Sequence, residues 1–317
     1  FFDPSDTFAD WFNPAYWSRQ AGAYDAWRAI YPPLSFVFLR IFGIDRCYPD
    51  TRGLAARVGL AARNCDWLGL ATITAIFLIN VVLTWKVMRR VNPATAPMRT
   101  LCLTMGTPML IGLERGNLII LAYTCLLLAC GPLLSSARAR WFFAGLAINF
   151  KIYLIASIVP LLLKRRWRWV EGALLSAVLI YLVSFALFGH GTPFEIYRNV
   201  RDYSGQEAGQ ILDVWYTTTY RPLHSLLENG AFPMSQIIGS TWVERLLILL
   251  PALQYLTQGL IVLAALAIWY RPEAFTAYRA MALGMLAATV TSEAGGYAQV
   301  CFMLFVMMEP WRGLGRK

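Results

Sequence analysis

Long apolar runs, separated by short clusters of charge, dominate the pattern of this chain. Trp67 to Trp85 carries no charged side chain and ends in Lys86, Arg89 and Arg90, which predicts a helix of the twenty or so residues needed to cross a bilayer. Val170 to Phe188 and Leu246 to Trp269 read as further spans. Other runs are shorter or interrupted. Leu101 to Leu113 is broken by Gly106, Pro108 and Gly112 and stops at Glu114-Arg115-Gly116-Asn117, after which Leu118 to Leu134 leads back. Tyr278 to Thr291 and Tyr297 to Met308 form a short pair around Ser292-Glu293-Ala294-Gly295-Gly296. Pro33 to Gly43 is too short to span and contains Arg40, so it is expected in the interface or against the bundle.

The basic clusters orient these runs, because Lys and Arg gather at cytoplasmic ends. Residues 1–66 then fall on the outer side. Trp141 to Leu163 breaks the simple alternation, with Arg138 and Arg140 before it and Lys164, Arg165, Arg166 and Arg168 after it. A broken hairpin with Asn149 and Lys151 near its apex satisfies the charge rule; a straight helix with a basic outer end is the alternative. The expected fold is all-α, a polytopic helical bundle of about nine membrane-embedded segments with interfacial helices on the outer face. One integral membrane domain is expected over residues 1–317, divided into an outer acidic loop (1–66), a transmembrane core (67–188), a long outer loop (189–242) and C-terminal helices (243–317).

Composition agrees with this pattern. Of 317 residues 58% are hydrophobic and 15% charged. The net charge of +10 raises the question of nucleic acid, but the bases sit at the ends of apolar runs and no soluble basic module exists to hold one. The chain begins at Phe1 with no basic leader, and a first transmembrane helix is expected ahead of it. Of six cysteines, Cys102, Cys125, Cys130 and Cys301 lie in or beside apolar runs as small hydrophobes, while Cys47 and Cys65 share a polar loop and can pair if it faces an oxidising compartment.

The chemistry has few places to reside. Only His190 and His224 are present, without metal-ligand spacing, and neither a phosphate-binding Gly-rich loop nor a Gly-x-Ser-x-Gly elbow occurs. What remains is a set of carboxylates and cations on the outer side. Asp3, Asp6 and Asp10 lie in an acidic, aromatic stretch running to Leu34; a carboxylate beside a hydroxyl can take its proton as general base. Arg115, Lys151, Arg221 and His224 are the cations and donors available to a phosphate. Each has a plainer reading. The aspartates can cap helices or form a solvated rim, Arg115 can pair with Glu114, and Lys151 can extend its ammonium to the interface. Loop Trp and Tyr residues can form an interfacial belt, and Glu293 can satisfy a turn.

The order of several short motifs is informative. Asp10-Trp11-Phe12, Tyr24-Asp25, Tyr31-Pro32-Pro33-Leu34, Gly112-Leu113-Glu114-Arg115-Gly116-Asn117 and Ala144-Gly145-Leu146 leading to Lys151, Pro160 and Lys164-Arg165-Arg166-Trp167-Arg168 follow one another. In this order they resemble the GT-C membrane glycosyltransferases, and within them glycosyltransferase family 87. The resemblance runs from Asp3 to about Arg168 and weakens afterwards, apart from Tyr220 to Leu227 and Gly295-Gly296-Tyr297. It implies a GT-C-type bundle and transfer of a sugar, mannose-like, with inversion from a polyprenyl-phosphate donor to a hydroxyl of a glycan or glycolipid acceptor. The implied catalytic residue is an Asp in the first outer loop: Asp10 by its aromatic neighbours, with Asp6 as alternative. Glu114, Arg115, Asn117, Lys151, Tyr31, Arg221 and His224 become candidate substrate-binding residues. No metal and no cofactor is expected; the partners are the two substrates and the lipid bilayer. A bacterial inner membrane, with the site facing the periplasm or cell exterior, is the implied location. A transporter or flippase of a lipid-linked glycan is the rival reading, although no internal repeat supports it. A non-catalytic scaffold gives no reason for charges inside apolar surroundings.

Overall fold

A computed structural model describes residues 4–48, 59–204, 217–228 and 233–310, and every regular element among them is helical. Two short helices, α1 (Ala9–Trp17) and α2 (Pro33–Ile41), precede the first long one, α3 (Trp67–Val91). Next come α4 (Ala96–Thr104) and α5 (Thr107–Glu114), two halves of one rise. They part at Met105 and Gly106, and Pro108, which has no N–H to give, sits in the first turn of α5. After α6 (Ile119–Cys130) and α7 (Ala137–Phe150) the backbone tightens into 3-10 turns over Ile152–Ser157 and Val159–Leu162. The long α8 (Trp167–Phe188) leads to three helices of the polar stretch, α9 (Pro193–Ser204), α10 (Arg221–Glu228) and α11 (Met234–Ile238). The chain then re-enters through α12 (Ser240–Tyr270), α13 (Ala277–Thr291) and α14 (Gln299–Met308).

Among the described residues three helices, α3, α8 and α12, are long and apolar enough to cross a membrane, where the run pattern predicts about nine embedded segments. The shorter apolar helices, Ile119–Cys130, Ile152–Leu162 and Gly296–Met308, are cut down by glycine and proline. Such interruptions are tolerated at membrane depth where protein rather than lipid surrounds the freed backbone. The apolar surface on these helices makes the chain an integral membrane protein. Its helix pairs close on small residues and polar bridges. A Cβ on Gly145 of α7 would lie 2.8 Å from Ser176 Oγ and 2.9 Å from the Ala177 nitrogen of α8, so the two backbones run in close contact. Asn149 donates from the same interface to the Gly145 and Ala177 carbonyls, both at 2.9 Å. Asn80 of α3 donates to the Ile120 carbonyl of α6 at 2.6 Å and accepts from Thr124 at 2.6 Å.

Contacts sort the helix ends into two groups. At one end Arg90 donates to the Pro132 carbonyl, Arg140 to the Ala129 and Cys130 carbonyls that close α6, and Lys164 to the Pro272 and Phe275 carbonyls. Tyr278 of α13 reaches Cys130 O there, and Arg279 pairs with Glu309 at 2.8 Å. The residues before α7 and after the 3-10 turns therefore share an end, and the break at Lys151 is the apex of a hairpin. At the other end lie α1, α2 and the Glu114–Asn117 turn. Here α2 is packed on α8, with the Phe36 and Phe188 rings stacked at 5.0 Å. Asn199 of α9 ties the polar stretch down by donating to Tyr24 O and Ala29 O. Cys47 and Cys65 form a disulfide. Cys102 is exposed on the bundle surface, unlike the buried Cys125, Cys130 and Cys301.

Candidate active site

The site begins where α1 docks on the turn between α5 and α6. Two main-chain bonds make the joint, Phe8 N–H to Glu114 O at 2.8 Å and Asp10 N–H to Arg115 O at 2.9 Å. They satisfy donors that the start of a helix leaves unpaired. Phe8, the residue before α1, is left-handed at φ 63°, and Gly116 faces it at φ 62°. A Cβ on Gly116 would stand 3.0 Å from Trp11 Cβ and 3.3 Å from Phe8 Cα, so both the conformation and the space call for glycine. Trp11 and Phe12 are fully buried beneath this joint and anchor α1 to α2 and α3.

The joint aligns a charge cluster. Arg115 grips Asp10 with two prongs, Nε to Oδ2 at 3.1 Å and Nη2 to Oδ1 at 3.0 Å, and donates from Nη1 to Asp6 Oδ2 at 2.7 Å. A planar fork on a carboxylate is among the strongest polar contacts available to side chains. Asn117, fully buried, donates to Asp10 Oδ2 at 2.6 Å and accepts the Ile119 N–H at 2.9 Å. Burial pushes the Asp10 carboxyl up, but the charge and hydrogen bonds of Arg115, then the Asn117 amide and the Lys151 charge, outweigh it and hold the group below the usual carboxylate range. For Arg115 burial works against the charge, and Asp10 and Asp6 more than restore it, so the guanidinium stays protonated. Of the plainer readings, capping fails for Asp10, which lies inside the first turn of α1. Arg115 sends its fork to Asp10 and Asp6, while Glu114 accepts from Thr7 Oγ1 at 3.3 Å.

Lys151 follows α7 only 5% exposed, so its ammonium stays inside the protein. Its ammonium lies 4.3 Å from the Tyr31 ring centroid and 5.4 Å from that of Tyr297, and its charge is felt at Asp10. Aromatic faces attract a cation but cannot replace a counter-anion. Among the described residues the Lys151 ammonium has no hydrogen-bond or ion-pair partner. The hydroxyl of Tyr153, two residues on, is likewise buried without one. Tyr297 and Tyr153 were not among the expected site residues. Tyr297 was legible only as the end of Gly295-Gly296-Tyr297, and nothing in the local pattern separates Tyr153 from a belt tyrosine.

Two expected residues share α10. Arg221 opens α10, and His224 of the same helix pairs with Glu228 at 3.5 Å. The segment leading into α10 is bound to the site's rim by Glu293. That carboxylate accepts from Thr218 N–H at 2.9 Å, from Thr219 Oγ1 at 3.1 Å and from the Gly295 N–H at 3.0 Å, which is more than the turn alone requires. Asp3 lies outside the described residues.

Fold and site together define an integral membrane protein whose part-buried carboxylate–guanidinium pair and buried ammonium meet at one end of a helical bundle. Residues 29–292 match the model of glycosyltransferase family 87, and the chain belongs to that family; it is a glycosyltransferase. The match continues well past Arg168, beyond the motifs that carry the resemblance in the sequence, and takes in Tyr31, Arg115, Asn117, Lys151, Arg221 and His224. Asp6 and Asp10 precede it. No curated protein and no solved structure matches the chain.

Proposed function

We propose that this glycosyltransferase is an inverting enzyme that moves a mannose-like sugar from a polyprenyl-phosphate donor to a hydroxyl of a glycan or glycolipid acceptor. The observation that carries the reading is Lys151, a buried ammonium with no anionic partner among the described residues, held between the Tyr31 and Tyr297 rings beside Asp10 and Arg115. A buried charge needs a counter-charge, and a donor phosphate arriving from the bilayer supplies one. Arg115, anchored by two aspartates, is the second cation in reach of that phosphate.

In this reaction the acceptor oxygen attacks the anomeric carbon as the bond to the phosphate oxygen breaks. The electron pair leaves on the lipid phosphate, and the acceptor's proton passes to Asp10. A carboxylate held below its usual range is a weaker base, which suits a late transfer, made once the attacking oxygen has become acidic. Phosphate bound at Lys151 and Arg115 also strengthens it by offsetting their charge. Asp6, tied to Arg115 by one bond and more exposed than Asp10, is the alternative base. The Cys47–Cys65 disulfide supports an oxidising, outer side for this end, and the basic opposite end supports a cytoplasmic one. The periplasmic side of a bacterial inner membrane meets both conditions.

The test is sugar transfer from polyprenyl-phosphate mannose by the full chain in membranes. Asp10→Asn is expected to lower the rate by about 10²- to 10⁴-fold, the contribution of a positioned base, with the protein still folded. Full activity in both Asp10→Asn and Asp6→Asn overturns the assignment.

A further inference from the structure

The two oxygens of Asp10 are not equivalent. Oδ2 accepts two hydrogen bonds, from Asn117 Nδ2 at 2.6 Å and Arg115 Nε at 3.1 Å. Among the described residues Oδ1 accepts one, from Arg115 Nη2 at 3.0 Å. A carboxylate oxygen offers two lone-pair sites, so Oδ2 is filled and Oδ1 keeps one free. The short bond to Oδ2 comes from an amide that cannot turn over. The Asn117 carbonyl oxygen accepts the Ile119 N–H at 2.9 Å, at the start of α6, and this fixes the NH₂ toward Asp10. Asn117 is fully buried; its side chain also reaches the Tyr297 hydroxyl, and its backbone bonds the Gly112 carbonyl and the Ile120 N–H.

We propose that Asn117 is a positioning residue: it holds Asp10 by Oδ2, so that Oδ1 is the atom that takes the proton, and it sets how strongly that atom binds it. The inference rests on the reading of Asp10 as the base. It moves Asn117 from the substrate-binding set to the support of the carboxylate. The proton of the acceptor hydroxyl goes to the free lone pair of Oδ1, the new bond forms at the anomeric carbon, and the phosphate leaves with the electron pair of the broken bond. No other reactant is needed.

Asn117 also has a structural duty at the start of α6, and the substitution Asn117→Asp separates the two roles. Asp accepts the Ile119 N–H as well as Asn does, so the helix start is preserved. When ionised it has no proton to donate to Oδ2, and it sets a second carboxylate against the first. The other charged and titratable groups around Asp10 are Asp6, Arg115, Lys151, Tyr31 and Tyr297, and the substitution leaves all of them in place.

The experiment is a pH titration of the full chain in nanodiscs by infrared difference spectroscopy. The Asp10 carboxylate band is isolated by subtracting the matching Asp10→Asn spectrum from parent and from Asn117→Asp. Losing a hydrogen bond to a charged oxygen is expected to raise the Asp10 midpoint by about one pH unit or more. Asn117→Ser, which keeps a donor but shortens it, is expected to give an intermediate midpoint. An unchanged midpoint in folded Asn117→Asp overturns the proposal and leaves Asn117 a support of the turn before α6. That outcome is distinct from failure of the base assignment, which shows instead as retained sugar transfer in Asp10→Asn.

Discussion

Single side chains decide what this site can do, and two of them make opposite demands. Asp10 is held ionised by Arg115, Asn117 and Lys151 against the cost of burial. A depressed carboxyl contributes stability above its unfolded pKa and loses that contribution as pH falls through the folded value. Asp10→Asn is therefore expected to cost about 1–3 kcal/mol at neutral pH, the worth of hydrogen bonds to a charged group. The gap to the parent should stay constant down to about pH 4, where the unfolded carboxyl begins to protonate, and close below it. Chemical unfolding in detergent at several pH values measures this; a gap that closes near neutrality contradicts the sign. Lys151 makes the opposite demand, since its ammonium has no ion-pair partner among the described residues. Lys151→Met keeps the volume and removes the charge. It is expected to leave stability unchanged or raised, because a buried charge is lost, while binding of polyprenyl phosphate weakens by at least about tenfold. Equal affinity in parent and variant would remove Lys151 from the phosphate site. Asp10 and Lys151 were legible from residue type and position, an Asp before aromatics and a Lys inside an apolar run. Their partners were harder to read, because Glu114 and Asp10 are equally plausible mates for Arg115 until α1 is docked on its turn.

At the scale of elements, the position of α1 depends on parts remote in sequence. Cys47 and Cys65 are adjacent to Tyr48 and Asp66, whose side chains share a 2.6 Å hydrogen bond, and Asp66 caps α3. Gly69, in the first turn of α3, meets Trp11 and Phe12 of α1 so closely that a Cβ would fall 2.7 Å from Trp11 Nε1. The disulfide thus braces the platform that carries Asp10. It closes a separation of 18 residues, for which loop entropy gives about 3 kcal/mol. The double variant Cys47→Ala/Cys65→Ala is expected to lose about that much stability and to lose transfer activity as α1 loosens. Reductant should reproduce both effects in the parent and neither in the variant. Thermal unfolding and transfer assays with and without reductant check it, and full activity in the reduced parent would separate the brace from the site. The polar spacing of the two cysteines allowed this bond but could not select it, since pairing depends on which side of the membrane the loop faces. The long helices were legible because length and hydrophobicity suffice for them. The half-length helices were not resolved into a count of spans, because an apolar run cut by Gly or Pro reads alike whether it crosses, returns or stops.

For the molecule as a whole, the decisive question is the hairpin at Lys151, since it fixes which helix ends share a side. Two spans in series would put Arg138 and Arg165 on the same side only by way of a second crossing between them. A hairpin needs only one break, and α7 followed by two 3-10 turns provides it at the sole buried lysine of this region. Lys164 bonded to the loop before α13, and Arg140 bonded to the end of α6, hold both legs at the basic end. The legs are packed by glycine: a Cβ on Gly284 of α13 would overlap the Ala156 carbonyl oxygen, so α13 lies directly on the returning leg. The arrangement places Lys151 near Arg115 and Asp10 while both flanks remain at the basic end of the bundle. Single cysteines introduced at the exposed positions Arg138 and Arg165, in a background lacking Cys102, are expected to react with a membrane-impermeant maleimide only in inverted vesicles. A cysteine at Glu195, on the first helix of the polar stretch, is expected to react only in right-side-out vesicles. If Arg138 and Arg165 label from opposite sides, the run from 141 to 163 is a single crossing, Lys151 loses its place at the apex, and the phosphate site loses its first cation.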